Sequence, residues 1–195
     1  MSSFKDGKVK NLGKVFAGGT PKTDNAAYYG NGHYWLPSGR VQNTILSTPK
    51  EGEAQITELG LKESSAKLIN PNSILVAITG STCSNIALLQ FEATANQSVV
   101  AIEPNSNVDS SYLFYGMLNL KDEIIKNKSG GAQGGVNLDI IKNLPIRLPD
   151  LATQQRIATF LDERTGKIDA LVEEFAKFNT NLQLQKRSLV SECVT

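Results

Sequence analysis

The sequence predicts an α+β protein. A mixed β-sheet domain with short helices occupies residues 1–149, and a long C-terminal α-helix of coiled-coil-forming type occupies residues 150–195. Three observations predict this division. Up to residue 149, glycines and prolines cut the chain into short β-rich runs; beyond Pro149 there is no proline and one glycine, Gly166. From Thr153 onward the apolar period changes from about two to about three and a half.

Composition bounds the class. With 195 residues, 40% of them hydrophobic and 20% charged, the chain can bury a core and does not resemble a disordered polymer. No run approaches the roughly 18 apolar residues that cross a bilayer, and MSSFKDGKVKNLGK is too polar for a secretory signal. Cys83 and Cys193 lie too far apart for a metal or redox motif, so a reducing, cytoplasmic setting is expected. The sequons at Asn96 and Asn127 are accordingly read as chance matches. Net charge is +1, but residues 1–23 carry Lys5, Lys8, Lys10, Lys14 and Lys22 against Asp6 alone. Such a cluster suits phosphates and equally suits an ordinary solvated surface.

Along the first domain the clearest strand is residues 73–79 (SILVAIT), bounded by Pro71-Asn72 and Gly80. Residues 86–91 (IALLQF) and 97–102 (QSVVAI) follow as strands, the latter closed by Pro104. Asp109 or Ser110 caps a helix over residues 112–119 that can continue towards Asn127. Residues 129–136, with four glycines between 130 and 135, form no regular element. A short last strand, residues 146–148, stops at Pro149.

In the helix, Gln154, Leu161, Ile168, Phe175, Leu182 and Leu189 share one heptad position. Ile157, Arg164, Leu171, Phe178, Gln185 and Glu192 share the position three residues later. Five of the first six and three of the second are apolar, which makes a long stripe with polar interruptions. Thirty-eight helical residues reach about 57 Å, too far for a small domain to cover, so the stripe calls for a partner. Asp150 or Thr153 is the expected N-cap.

Catalytic patterns fail in turn. The single histidine, His33, is read as a loop residue, and the glycine loop has Val136-Asn137 where a phosphate loop needs lysine and a hydroxyl. Asn70-Pro71-Asn72-Ser73 lacks the aromatic residue of an amino-methyltransferase. What remains are loops rich in recognition groups. Gly18-Gly-Thr-Pro-Lys-Thr23 offers backbone N–H groups, hydroxyls and a lysine to phosphate oxygens. Tyr28, Tyr29, Tyr34 and Trp35 follow, then Ser38-Gly39-Arg40; an arginine can read guanine, and Asn or Gln can read adenine. Residues 80–85 (GSTCSN), Asn96-Gln97 and residues 132–137 (AQGGVN) add short polar groups, although each loop alone is equally an ordinary turn.

Several separate stretches resemble one family, the DNA specificity subunit of type I restriction–modification systems. They are GGTPKT with Tyr28-Tyr29 and WLPSG, AITGSTCSNIALL with ATANQSVVAI, and GGAQGGVNLDIIKNLPIRLPDL. The last and most specific is QQRIATFLDERTGKIDALVEE. The resemblance implies a non-catalytic target-recognition domain that binds double-stranded DNA. It also implies a cofactor-free chain, with S-adenosylmethionine, ATP and magnesium belonging to the methyltransferase and restriction subunits that are its partners. The residues expected at DNA are Gly19, Thr20, Lys22, Thr23, Tyr28, Ser38, Arg40, Thr79, Ser81, Thr82, Asn85, Asn96, Gln97, Gln133, Gly134 and Asn137. Ile157, Leu161, Ile168, Leu171, Phe175, Phe178, Leu182 and Leu189 are expected at a subunit interface.

The family typically carries two recognition domains and two such helices; this chain has one of each. It is expected to act as a half-subunit, natural or cut at Thr195, that pairs with a second copy through antiparallel helices. The alternative is a truncated regulatory protein that occupies a full-length subunit through its helix and has little DNA affinity.

Overall fold

The computed structural model describes residues 4–131 and 134–194. The chain divides into two compact units, residues 1–155 and 156–195, so the first turn of the long helix belongs with the first unit.

Five strands form the main sheet: β2 (Gly13–Ala17), β4 (Thr44–Leu46), β6 (Ser73–Ala77), β7 (Ile86–Leu89) and β9 (Val99–Pro104), in the order β2-β9-β6-β7-β4. A second sheet, ordered β5-β3-β8, joins β3 (Tyr29–Leu36), β5 (Gln55–Ile56) and β8 (Thr94–Ala95). β1 (Lys5–Lys8) pairs antiparallel with β10 (Pro145–Leu148). Short helices α1 (Glu58–Lys62), α2 (Ser110–Asn119), α3 (Lys121–Lys126) and α4 (Leu138–Asn143) complete the first unit.

The main sheet is covered on both faces, which explains why its strands read as continuous apolar runs. Ile74 and Val76 of β6, Ile86 and Leu88 of β7, and Val100 and Ile102 of β9 pack into one core with Leu113, Phe114 and Met117 of α2, Ile124 of α3 and Ile141 of α4. The alternate residues Leu75, Ala77, Ala87, Leu89, Val99 and Ala101 point the other way, into a core with Leu36, Val41, Ile69, Ala93 and Ala95. The period of two is present, but both phases are buried.

The expected strands are found with shifted ends. β6 stops at Ala77, β7 stops at Leu89, and β9 begins at Val99 and reaches Pro104. Asp109 caps α2 by accepting from Tyr112 N at 2.8 Å, and the helical run breaks at Leu120 before α3. His33 is not in a loop: it lies in β3, where Nε2 stands 2.8 Å from Glu58 Oε2. That contact, with Lys62 beside it, holds the Glu58 carboxyl below its ordinary pKa.

The long helix α5 (Leu151–Val194) has 44 residues and spans about 66 Å. Asp150 Oδ1 accepts from Thr153 N at 2.9 Å, so Asp150 is the cap. Gln154, read as the first seam residue, is only 1% exposed. Its amide accepts from Asp109 N at 2.9 Å and donates to Pro149 O at 2.9 Å and Asn107 O at 3.2 Å. It fastens the helix start to the first unit instead of facing a seam. No described helix is long and apolar enough to cross a membrane.

Candidate nucleic-acid interface

Strand direction brings the polar loops together. β2 and β6 run one way and β9 and β7 the other, with β4 parallel to β7. The exits of β2 and β6 and the entries of β9, β7 and β4 therefore all lie at one end of the main sheet. That end collects residues 18–20, 78–82, 96–98, 83–85 and 43.

Backbone hydrogen bonds knit these loops into one edge. Gly18 N donates to Val99 O at 2.9 Å, Gly19 N to Ala95 O at 2.8 Å, and Ile78 N to Ser98 O at 2.9 Å. The glycine loop joins through Val136 N to Ile78 O at 2.9 Å and Gly80 N to Gly134 O at 3.1 Å. Close approach demands the glycines: a Cβ on Gly19 would stand 2.3 Å from the Ser65 carbonyl carbon, and one on Gly135 would stand 2.2 Å from Ile78 O.

Side chains extend the edge. Thr20 Oγ1 donates to Gln97 Oε1, which joins two loops expected to act together. Trp35 Nε1 donates to Gly19 O at 3.0 Å and Tyr29 Oη to Pro21 O at 2.8 Å, so these aromatics brace the loop that displays Lys22 and Thr23. Lys22, Thr23, Ser81 and Gln97 are exposed; Thr20, Thr79, Thr82, Asn85 and Asn96 are half-buried. Asn96 Oδ1 accepts from Ser98 N, and Thr82 Oγ1 donates to Thr79 O, which shapes their turns.

Other expected contacts are otherwise engaged. Tyr28 is buried and its hydroxyl donates to Glu63 at 2.9 Å, a bond that raises its pKa. Arg40 turns inward: its side chain is 12% exposed, it pairs with Glu53 at 2.9 Å, and its other arm donates to Thr48 O at 3.3 Å. A guanidinium held this way is not offered to guanine. Ser38 is half-buried in a short turn before Val41, and Asn137 spends its Oδ1 capping α4 through Ile140 N. Gln133 lies outside the described residues, whereas Gly134 stands at the edge.

Sequence reasoning missed Asn43 and Lys128. Asn43, with φ of 55°, donates to Asn85 Oδ1 and accepts from Ile86 N, both at 3.1 Å. Lys128 Nζ reaches Gly80 O at 3.1 Å and brings a cation to the glycine loop. An Asn just before the short run Thr44-Ile-Leu46, a residue type enriched at positive φ, was the available signal for the first; nothing local announces the second. Among the described residues no group of three or more His, Cys, Asp or Glu could hold a metal ion.

The second unit presents a different surface. Ile168, Leu171, Phe175, Phe178, Leu182 and Leu189 are 47–69% exposed, while Ile157 and Leu161 are half-buried. Phe160, Val172, Leu184 and Val190 are exposed as well. So many bare apolar residues on one helix are a surface built for covering.

Comparison with known proteins follows the same outline. The family described as "Type I restriction modification DNA specificity domain" matches residues 1–174. A type I restriction enzyme specificity subunit from Escherichia coli is 29% identical over 184 residues, covering 89% of this chain and 45% of that protein. One from Methanocaldococcus jannaschii is 30% identical over 179 residues, covering 90% of this chain and 40% of that protein. The crystal structure of the HsdS subunit from Thermoanaerobacter tengcongensis superposes with a TM-score of 0.66 at 18% identity, over 86% of this chain and 38% of that one, a likeness of fold. The chain thus spans less than half the length of the curated relatives it matches.

Proposed function

Since the chain belongs to the type I restriction modification DNA specificity family, we propose that it is a sequence-specific DNA-recognition subunit, in half-subunit form, that binds one half of a bipartite target. Its partners are then double-stranded DNA and the methyltransferase and restriction subunits that it directs, and catalysis resides in those subunits. The observation that carries this reading is the gathering of five polar loops at one end of a sheet whose two faces are both buried. That edge is the exposed polar part of a rigid support, and its groups are of the kinds that contact phosphates and base edges.

The DNA-facing set is proposed as Thr20, Lys22, Thr23, Thr79, Ser81, Thr82, Asn85, Asn96, Gln97 and the glycine loop, with Asn43 and Lys128 added. Tyr28 and Arg40 shape the domain behind them. Functionally the recognition domain is residues 1–149, and the helix from 150 onward is spacer and docking surface. Two copies pair through antiparallel helices and read a palindromic split site.

Selection from a random duplex pool, with the chain alone and with a methyltransferase partner, is the test. Enrichment of an inverted repeat with a fixed gap is expected; no enrichment in either arm would overturn the reading. Lys22→Ala should weaken binding to every sequence and lower the salt slope by about one, as loss of a phosphate contact does.

A further inference from the structure

The exposed stripe of α5 carries enough asymmetry to specify how a second copy lies on it. We infer that two α5 helices pair antiparallel in a single register, centred between Asp169 and Ala170, with Lys167 of each facing the partner's Glu174. The inference rests on the antiparallel pairing proposed above and adds its register.

Orientation follows from the polar interruptions. In a parallel pair, equal positions meet, so Arg164, Gln185 and Glu192 would each face their own copies in the seam. No charged flanking residues would compensate. Antiparallel pairing instead sets the position of Leu161, Ile168 and Phe175 against that of Leu171, Phe178 and Arg164.

Register follows from matching. Around the proposed centre Ile157 meets the partner's Leu182, Leu161 the partner's Phe178, and Ile168 the partner's Leu171. The one mixed layer sets Arg164 against the partner's Phe175, and a guanidinium is at home over an aromatic face. Within one helix Arg164 already lies 5.3 Å from the Phe160 ring. All six apolar members of these layers from Leu161 to Leu182, Ile157 aside, lie among the exposed or half-buried residues, and Ile157 is half-buried.

Flanking charges reject the alternatives. In this register Lys167 and the partner's Glu174 are neighbours across the seam, twice by symmetry. Among the described residues neither forms an ion pair within the chain, whereas Glu173 and Lys177 on the outer face pair with each other at 2.7 Å. Sliding one heptad in one direction sets Glu174 against the partner's Glu174 and Arg164 against a leucine. Sliding the other way sets Lys167 against the partner's Lys167 and Arg164 against an isoleucine. Gln154, buried in its own domain, ends the seam before the layer it would have formed. Leu189 falls beyond the seam, because its opposite position is the partner's Asp150.

The test is a charge-swap cycle on the full chain, read as the dimer dissociation constant by sedimentation equilibrium. Lys167→Glu and Glu174→Lys should each weaken the dimer about tenfold, and the double swap should restore it to within about twofold. In either neighbouring register a single swap only exchanges one like-charge pair for another, so a dimer that the single swaps weaken but the double swap fails to restore would overturn the register. No response to any swap would overturn it as well. A wild-type chain that stays monomeric at about 100 μM would instead overturn the pairing itself. As an independent ruler, spin labels at Arg187→Cys in a Cys193→Ser background should lie about 52 Å apart along the axis, against about 42 or 63 Å in the neighbouring registers.

Discussion

The two units of this chain satisfy their apolar residues in opposite ways. In residues 1–155 both faces of the main sheet are buried, and even the polar side chains that enter the core, such as Gln154, find partners for their polar atoms. In residues 156–195 the largest apolar side chains of the stripe stand open, with Phe175 at 69% exposure. The first unit packs its own core, and the second, on the pairing proposed above, is completed by a partner helix. A lone helix gains little in water without a packed face, so the proposed pairing would couple its order to association. Substitutions should therefore sort cleanly: those in the first unit change unfolding, and those in the second change assembly.

The strongest expected effect tests that separation. Leu171→Asp places two carboxylates in the middle of a paired seam, losing apolar burial and adding desolvation. It should raise the dimer dissociation constant by roughly a thousandfold, about 4 kcal/mol. Analytical ultracentrifugation should report a monomer at roughly tens of micromolar, while the thermal unfolding of the sheet domain stays put. A fall in that unfolding temperature would mean that the helix contributes to the core of the first unit.

Next in size is the mirror experiment. Arg40→Ala leaves Glu53, whose side chain is 7% exposed, without its cation, and releases Thr48 O. A cost of about 3 kcal/mol to the sheet domain is expected by chemical denaturation, with dimerisation unchanged. If Arg40→Ala instead leaves stability alone and relaxes DNA specificity, the inward ion pair gives way at the DNA and Arg40 returns to the reading edge.

How much of this was visible in the sequence follows the same divide. The helix was legible because a heptad stripe is a local pattern, although its first seam position, Gln154, was misplaced; that residue's partners lie 45 and 47 positions back. β6, β7 and β9 were legible because double-sided burial writes an apolar run. β3 was not, since YGNGHYWL has neither an apolar run nor clean alternation. It is a strand because Gln55–Ile56 pairs with it across an irregular register. Likewise the polar loops could be recognised as loops, but their meeting at one sheet end depends on strand order, which no short stretch encodes. Arg40 shows the limit most clearly: its residue type suits a base contact, and its partner Glu53 becomes visible only when the intervening loop is folded.

The smallest expected effect sharpens the helix side of the comparison. Gly166 is the only glycine after Pro149, and nothing stands within 4 Å of a Cβ built on it. In the heptad that places Ile168 and Leu171 in the seam, Gly166 lies on the opposite, outward face. Glycine inside a helix costs up to about 1 kcal/mol relative to alanine. Gly166→Ala should therefore favour the helix without touching the interface, and if helix formation is coupled to pairing as proposed, two substituted copies should tighten the dimer by up to about thirtyfold. Circular dichroism should show a modest gain in helix content at concentrations where the wild type is partly dissociated. Weaker dimerisation would mean that residue 166 faces a neighbour, and the seam would then have to be redrawn around a different face of α5.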